Sequence, residues 1–119
     1  PVPFEKLSEL KESESSEKVR ERVIKARQIQ ELRFREIDGV YCNAQMSSKQ
    51  MRSFAQIDKA GSDLLKNAMQ RLNLSARAYD RIIKVARTIA DLDDAENILS
   101  NHIAEAINYR NLDREGWAG

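Results

Sequence analysis

The chain has 119 residues, 33% of them charged, and a formal net charge of +1. That is one domain's length, enough to bury about two-thirds of the unfolded surface, and the near-balanced charge does not mark a general nucleic-acid binder, although a local basic face stays open. The four glycines, Gly39, Gly61, Gly116 and Gly119, are scattered, so no glycine-rich phosphate loop can be assembled. A self-contained P-loop ATPase and a dinucleotide-binding enzyme are thereby excluded.

Residues 1–14 are expected to form an extended lead-in or linker. Pro1 and Pro3 fix their own φ and push their predecessors out of the helical region. Glu12 to Glu17 is acidic and carries no apolar residue, the composition of an exposed linker. An opening on Val2-Pro3-Phe4 suggests a piece of a longer protein. A helix is predicted from Ser16 to about Phe34, with Ser15 or Ser16 as cap and Val19, Val23 and Ala26 at helical spacing on its apolar side. Its outer residues, among them Lys18, Arg20, Arg22, Lys25, Arg27 and Arg33, form either a solvated face or a basic ridge for nucleic acid or a partner.

Glu36 to Ser47 reads as a loop. A short helix follows from Ser47 or Ser48 to about Ala55, with Met51 and Phe54 three apart. Asp58 is the expected N-cap of a third helix whose apolar stripe is Leu64, Leu65, Ala68, Met69 and Leu72, and Asn73 closes it as a residue tolerant of left-handed φ. Ser75 caps the fourth and most strongly patterned helix, in which Ala78, Ile82, Val85, Ile89 and Leu92 follow one face. Tyr79, Ile83, Ala86 and Ala90 widen that face, which predicts a central helix. Arg77, Arg81, Lys84 and Thr88 form its polar stripe, and Asp80 with Lys84 and Arg87 with Asp91 are i,i+4 pairs of a few tenths of a kcal/mol each. Asp93 to Asn97 is an acidic loop. Ser100 is expected to cap the last helix, with Ile103, Ala106 and Ile107 buried and an end near Tyr109-Arg110. Residues 113–119 are expected to be a flexible tail. No period-2 alternation is sustained, so the predicted class is all-α, a small bundle of four to five helices over residues 15–112.

Few residues offer chemistry. One His and one Cys cannot build a His/Cys zinc site, and Asp91, Asp93 and Asp94 lack the calcium-loop pattern, so no metal is expected. His102, beside the buried Ile103 face, is expected to be satisfied by a neighbour, and Cys42 has no basic residue beside it to activate a thiol. One cysteine without a secretory signal fits a reducing, cytoplasmic setting, and the apolar runs are too short to span a membrane. Arg77 is the informative residue. A helix N-terminus favours an anion, so an Arg in the first turn, with Arg81 one turn later, makes sense if a phosphate or carboxylate docks there. The competing reading pairs Arg77 and Arg81 with Asp80, Asp91 or the acidic loop. Trp117 is either a docking anchor or surface.

Two segments, SARAYDRIIKVARTIADL from Ser75 and NHIAEAINYRNLDR from Asn101, resemble the C-terminal domain of magnesium chelatase-like AAA+ ATPases of the ComM and YifB type. VPFEKLSE, SEKVRERVIKARQIQELRF, CNAQM and the Leu64 to Leu72 run extend the resemblance over essentially the whole chain. In that family the region is a helical lid following an α/β ATPase core that holds ATP and Mg, and the Walker motifs precede it. The resemblance implies that this chain alone is not an enzyme and that Arg77 is the sensor 2 arginine reaching the γ-phosphate. It implies a supporting or interface role for Arg81 and Ser75. It also implies as partners the protein's own N-terminal ATPase core, neighbouring subunits of a hexameric ring and, through the parent motor, DNA during recombination. Two other readings stand beside it: a nucleic-acid-binding helical module and a helical protein-interaction adaptor.

Overall fold

A computed structural model describes residues 15–117, with side chains described from 15 to 109. The lead-in expected over 1–14 and the side chain of Trp117 lie outside the described residues. Among the described residues there are five α-helices and one 3₁₀ turn, and the only pairing of extended backbone is a single parallel bridge between Ile57 and Ile98. The chain is an all-α bundle.

Local chemistry sets the helix ends. Helix α1 spans Ser16–Phe34, and Ser15 Oγ accepts the Lys18 N–H at 3.2 Å. The segment 35–47 is less loose than the sequence suggests. It turns at Gly39, where φ is +82°, and contains a 3₁₀ turn at Asn43–Gln45. Helix α2, Ser48–Phe54, starts with a reciprocal box: Ser47 takes the Gln50 N–H and Gln50 takes the Ser47 N–H. Helix α3, Lys59–Arg71, is capped by Asp58, whose carboxylate accepts the Gly61 N–H at 2.8 Å. Asn73, at φ 52°, ends it as expected: Leu74 N–H reaches Met69 O at 3.0 Å and Asn73 N–H reaches Gln70 O at 3.3 Å, a Schellman turn built without glycine.

Helix α4, Ala76–Leu92, begins at Ser75, whose hydroxyl accepts the Ala78 N–H at 3.2 Å. It closes with the same turn as α3, now at Asp94 with φ 55°, where Ala95 N–H meets Ala90 O at 2.8 Å. Helix α5 spans Ser100–Trp117, so it continues past the end near Tyr109-Arg110 expected from the sequence. Its cap position is Leu99 rather than Ser100, since the Leu99 carbonyl takes the first helical N–H.

The core is shared by Leu65 and Ala68 of α3, Ile82, Ile83, Ala86 and Ala90 of α4, Ile98, and Ile103, Ala106 and Ile107 of α5. Helix α4 is central, packing most extensively on α5 and also on α1, α2 and the 3₁₀ turn. Phe34 at the end of α1 meets Phe54 of α2 edge to face, ring centres 5.6 Å apart.

Two predicted faces are corrected. In α1 the buried line is Ala26, Gln30 and Phe34, while Val19 and Val23 are exposed. Among the described residues, the buried positions of α1 all lie in its C-terminal half. In α4 Ala78 and Ile82 are buried as expected, but Val85 is exposed and Ile89 and Leu92 are half-buried. The buried face is rotated toward Ile83, Arg87 and Asp91. Contacts from α1, α2 and the 3₁₀ turn cover that side, and two charged residues occupy it because they have partners there.

Candidate functional site

The start of α4 forms the site that the sequence points to. Ser75 satisfies the Ala78 N–H, which leaves the first backbone donors of the helix facing outward with the positive end of its dipole. Arg77 stands in this first turn. It is exposed, and its side chain makes no hydrogen bond or ion pair among the described residues. Arg81 lies one turn further along, also exposed. The structure therefore brings Ser75, Arg77 and Arg81 to one end of one helix.

Of the partners that the competing reading offered to Arg77, three are engaged elsewhere, Asp93 with His102 at 3.0 Å among them. Asp91 is held by Arg33 and Arg87, and Asp94 by Lys25 at 2.7 Å on the surface. A planar fork without a carboxylate partner among the described residues, next to outward-facing N–H groups, suits an anion with several oxygens.

The far end of α4 holds a buried polar network that the sequence reading missed. Arg33 grips Asp91 with two bonds, Nη1 to Oδ2 and Nη2 to Oδ1, both 2.7 Å. Arg33 Nη1 also donates to Asn43 Oδ1 at 2.9 Å. The Asn43 amide group donates to Asp91 Oδ2 at 2.9 Å and to Thr88 Oγ1 at 3.0 Å, and its backbone N–H donates to Gln30 Oε1 at 3.1 Å.

Arg87 pairs with Asp91 at 3.0 Å, as the i,i+4 spacing suggests, but with both side chains almost fully buried, so the few tenths of a kcal/mol usual for such a pair do not describe it. Its guanidinium also donates to the carbonyls of Ala95 at 2.9 Å, Glu96 at 3.1 Å and Phe54 at 3.4 Å, joining the end of α2 to the loop before α5. Arg87 Nε is buried with no partner. Burial pushes the Arg87 pKa down, the nearby Arg33 charge adds to this, and Asp91 opposes it. A signal existed in the sequence: Ile83, Arg87 and Asp91 fall on one line beside the core positions Ala86 and Ala90. Gln30 and Asn43 carried no such mark.

The remaining candidates are structural. His102 is buried; its Nδ1 accepts the Leu99 N–H at 3.0 Å, so the ring hydrogen sits on Nε2 and points to Asp93 Oδ2, also 3.0 Å away. Both nitrogens are used, in agreement with the satisfied histidine expected from sequence. It caps α5 and ties it to the end of α4. Cys42 is a half-buried free thiol. No group of three or more His, Cys, Asp or Glu that could hold a metal occurs among the described residues, and no described helix is long and apolar enough to cross a membrane.

Residues 13–110 match the family described as magnesium chelatase, subunit ChlI C-terminal. Competence protein ComM of Haemophilus influenzae is 42% identical over 101 residues, covering 85% of this chain and 19% of that protein. Protein YifB of Escherichia coli is 39% identical over the same coverage, and protein Rv2897c of Mycobacterium tuberculosis is 32% identical over 99 residues, 83% of this chain and 20% of that protein. This chain thus spans about a fifth of the length of these relatives. No solved structure matches it. The family match covers most of the chain, and with the ComM and YifB identities it shows that the chain belongs to the magnesium chelatase subunit ChlI C-terminal family, in its ComM and YifB branch.

Proposed function

We propose that this domain is the lid of a magnesium chelatase-related AAA+ ATPase and supplies Arg77 as the sensor 2 arginine. In this reading ATP and Mg are held by an N-terminal core outside the present chain. The lid closes over them and Arg77 meets the γ-phosphate. The observation that carries the reading is the exposed Arg77 fork at the start of α4, with no carboxylate partner among the described residues.

A cation on a movable lid favours the closed state only while the γ-phosphate is present, so hydrolysis changes the lid's position. Arg81 and Ser75 support it, Ser75 by fixing where α4 starts and Arg81 by adding positive charge one turn away or meeting a neighbouring subunit. The parent is then a cytoplasmic motor working as a hexameric ring. Given the relative named a competence protein, it acts on DNA during transformation and recombination.

Arg77→Ala in a protein that includes the ATPase core is the test. ATP turnover is expected to fall about 10²-fold, the size of losing one preorganised donor to a developing oxyanion, with Arg77→Lys falling less. Because Arg77 is exposed, helix content by circular dichroism should stay the same. Unchanged turnover together with unchanged nucleotide-dependent assembly would remove the sensor role.

A further inference from the structure

Helix α1 is fastened to the bundle by a few buried apolar residues and by a buried polar network. Its apolar anchors are Ala26 and Phe34, whereas Val19, Val23, Ile24 and Leu32 are exposed. Its main packing partner is α4, and where they meet the contact is polar. Arg33 holds Asp91 in a two-pronged pair, the side chains 11% and 1% exposed. Asn43 is wedged between them and is itself fixed by Gln30 of α1 and Thr88 of α4. The exposed Lys25–Asp94 pair adds little.

A helix held by spread apolar contact can tilt or slide by small steps. One held by a buried bidentate pair has a single good position, because a small shift spoils the fork's geometry while its groups are still desolvated.

We propose that Arg33 and Asp91 form a latch that makes α1 and α4 one body while it is closed and lets α1 detach as a unit when it is broken. Both are positioning residues. Arg77 stands at the opposite end of α4, so a displacement of α4 imposed by an anion at Arg77 is passed to α1 and to the chain that precedes it. This consequence rests on the sensor reading of Arg77; the latch itself does not. The latch can be opened from the α1 side without stranding Asp91, since Arg87 remains on its Oδ1 at 3.0 Å and Asn43 on its Oδ2.

Amide hydrogen exchange on this chain tests the latch, with Arg33→Met, Arg33→Lys and Arg77→Ala. Methionine keeps much of the arginine stem and removes the fork. In Arg33→Met, protection over residues 26–34 and 43–46 is expected to fall about tenfold or more, while the core amides of α4 and α5 change less than about twofold. Arg33→Lys should recover part of the loss, as a point charge without the fork. Arg77→Ala should leave α1 protection unchanged, so a failure here is distinct from a failure of the ATP-turnover experiment.

Unchanged α1 protection in Arg33→Met overturns the latch. An equal loss across α4 and α5, or a variant that does not fold, also overturns it, since the pair would then support the whole domain rather than α1. The unsubstituted chain gives a second readout in low denaturant. The α1 amides should open together before those of α4 and α5, and a single opening step shared by all three helices overturns the proposal.

Discussion

Asp91→Ala is expected to destabilise the domain by about 3–5 kcal/mol, read as a lowered urea midpoint with an unchanged slope. The carboxylate is 2% exposed as a residue and accepts from Arg33 twice, from Asn43 and from Arg87. Without it, the buried Arg87 guanidinium and the largely buried Arg33 guanidinium both lose their shared countercharge. Arg87 is already depressed in pKa by burial and by Arg33, and loses the one group that opposes the shift. Backbone carbonyls of Phe54, Ala95 and Glu96 still receive Arg87, but they carry only partial charge. Total stabilities of domains run to about 5–15 kcal/mol, so the variant should sit near its folding threshold. Arg33→Met should be milder, because it removes a cation and leaves Asp91 paired. A loss below about 1 kcal/mol for Asp91→Ala would mean that water replaces the carboxylate and that the network is not dry.

Ile82→Ala and Val85→Ala, three residues apart on α4, are expected to differ sharply. Ile82 is 1% exposed and Val85 is 38% exposed. Truncating a fully buried Ile removes transfer energy and leaves a cavity, together about 2–5 kcal/mol. Truncating a half-solvated Val on the outer side of the helix should cost less than about 1 kcal/mol. Thermal or urea unfolding of the two variants gives the comparison directly. Equal losses would put α4 in the rotation that its apolar periodicity alone suggests, with Val85 inward.

That contrast also marks where sequence reasoning stops. Helix starts were legible, at Ser15, Ser47, Asp58 and Ser75, because a cap is a bond between residues two or three apart. So was the end of α3 at Asn73, which needs only a residue tolerant of positive φ. Faces were less legible. Val19 and Val23 have helical spacing yet are exposed, and spacing carries no information about what stands opposite. The cap of α5 was misplaced by one residue because His102, not a hydroxyl, takes the Leu99 N–H. At the candidate site, the pattern put Arg77 in a first turn, and the fold leaves it exposed there. Its proposed role came from the resemblance. The Arg33–Asp91 pair could not be read at all, because nothing local relates two residues so distant in the chain.

The separation of that pair bears on the order of assembly. Arg33 and Asp91 are 58 residues apart and Asn43 and Asp91 are 48 apart, so closing them costs chain entropy that must be met before the bonds return anything. The turns ending α3 and α4 close over only a few residues, and the segment from α3 to α5 can gather its apolar faces around them first. Docking of α1 then belongs after the rate-limiting barrier. In stopped-flow traces, loss of the Arg33 fork should appear mainly as faster unfolding, with refolding nearly unchanged.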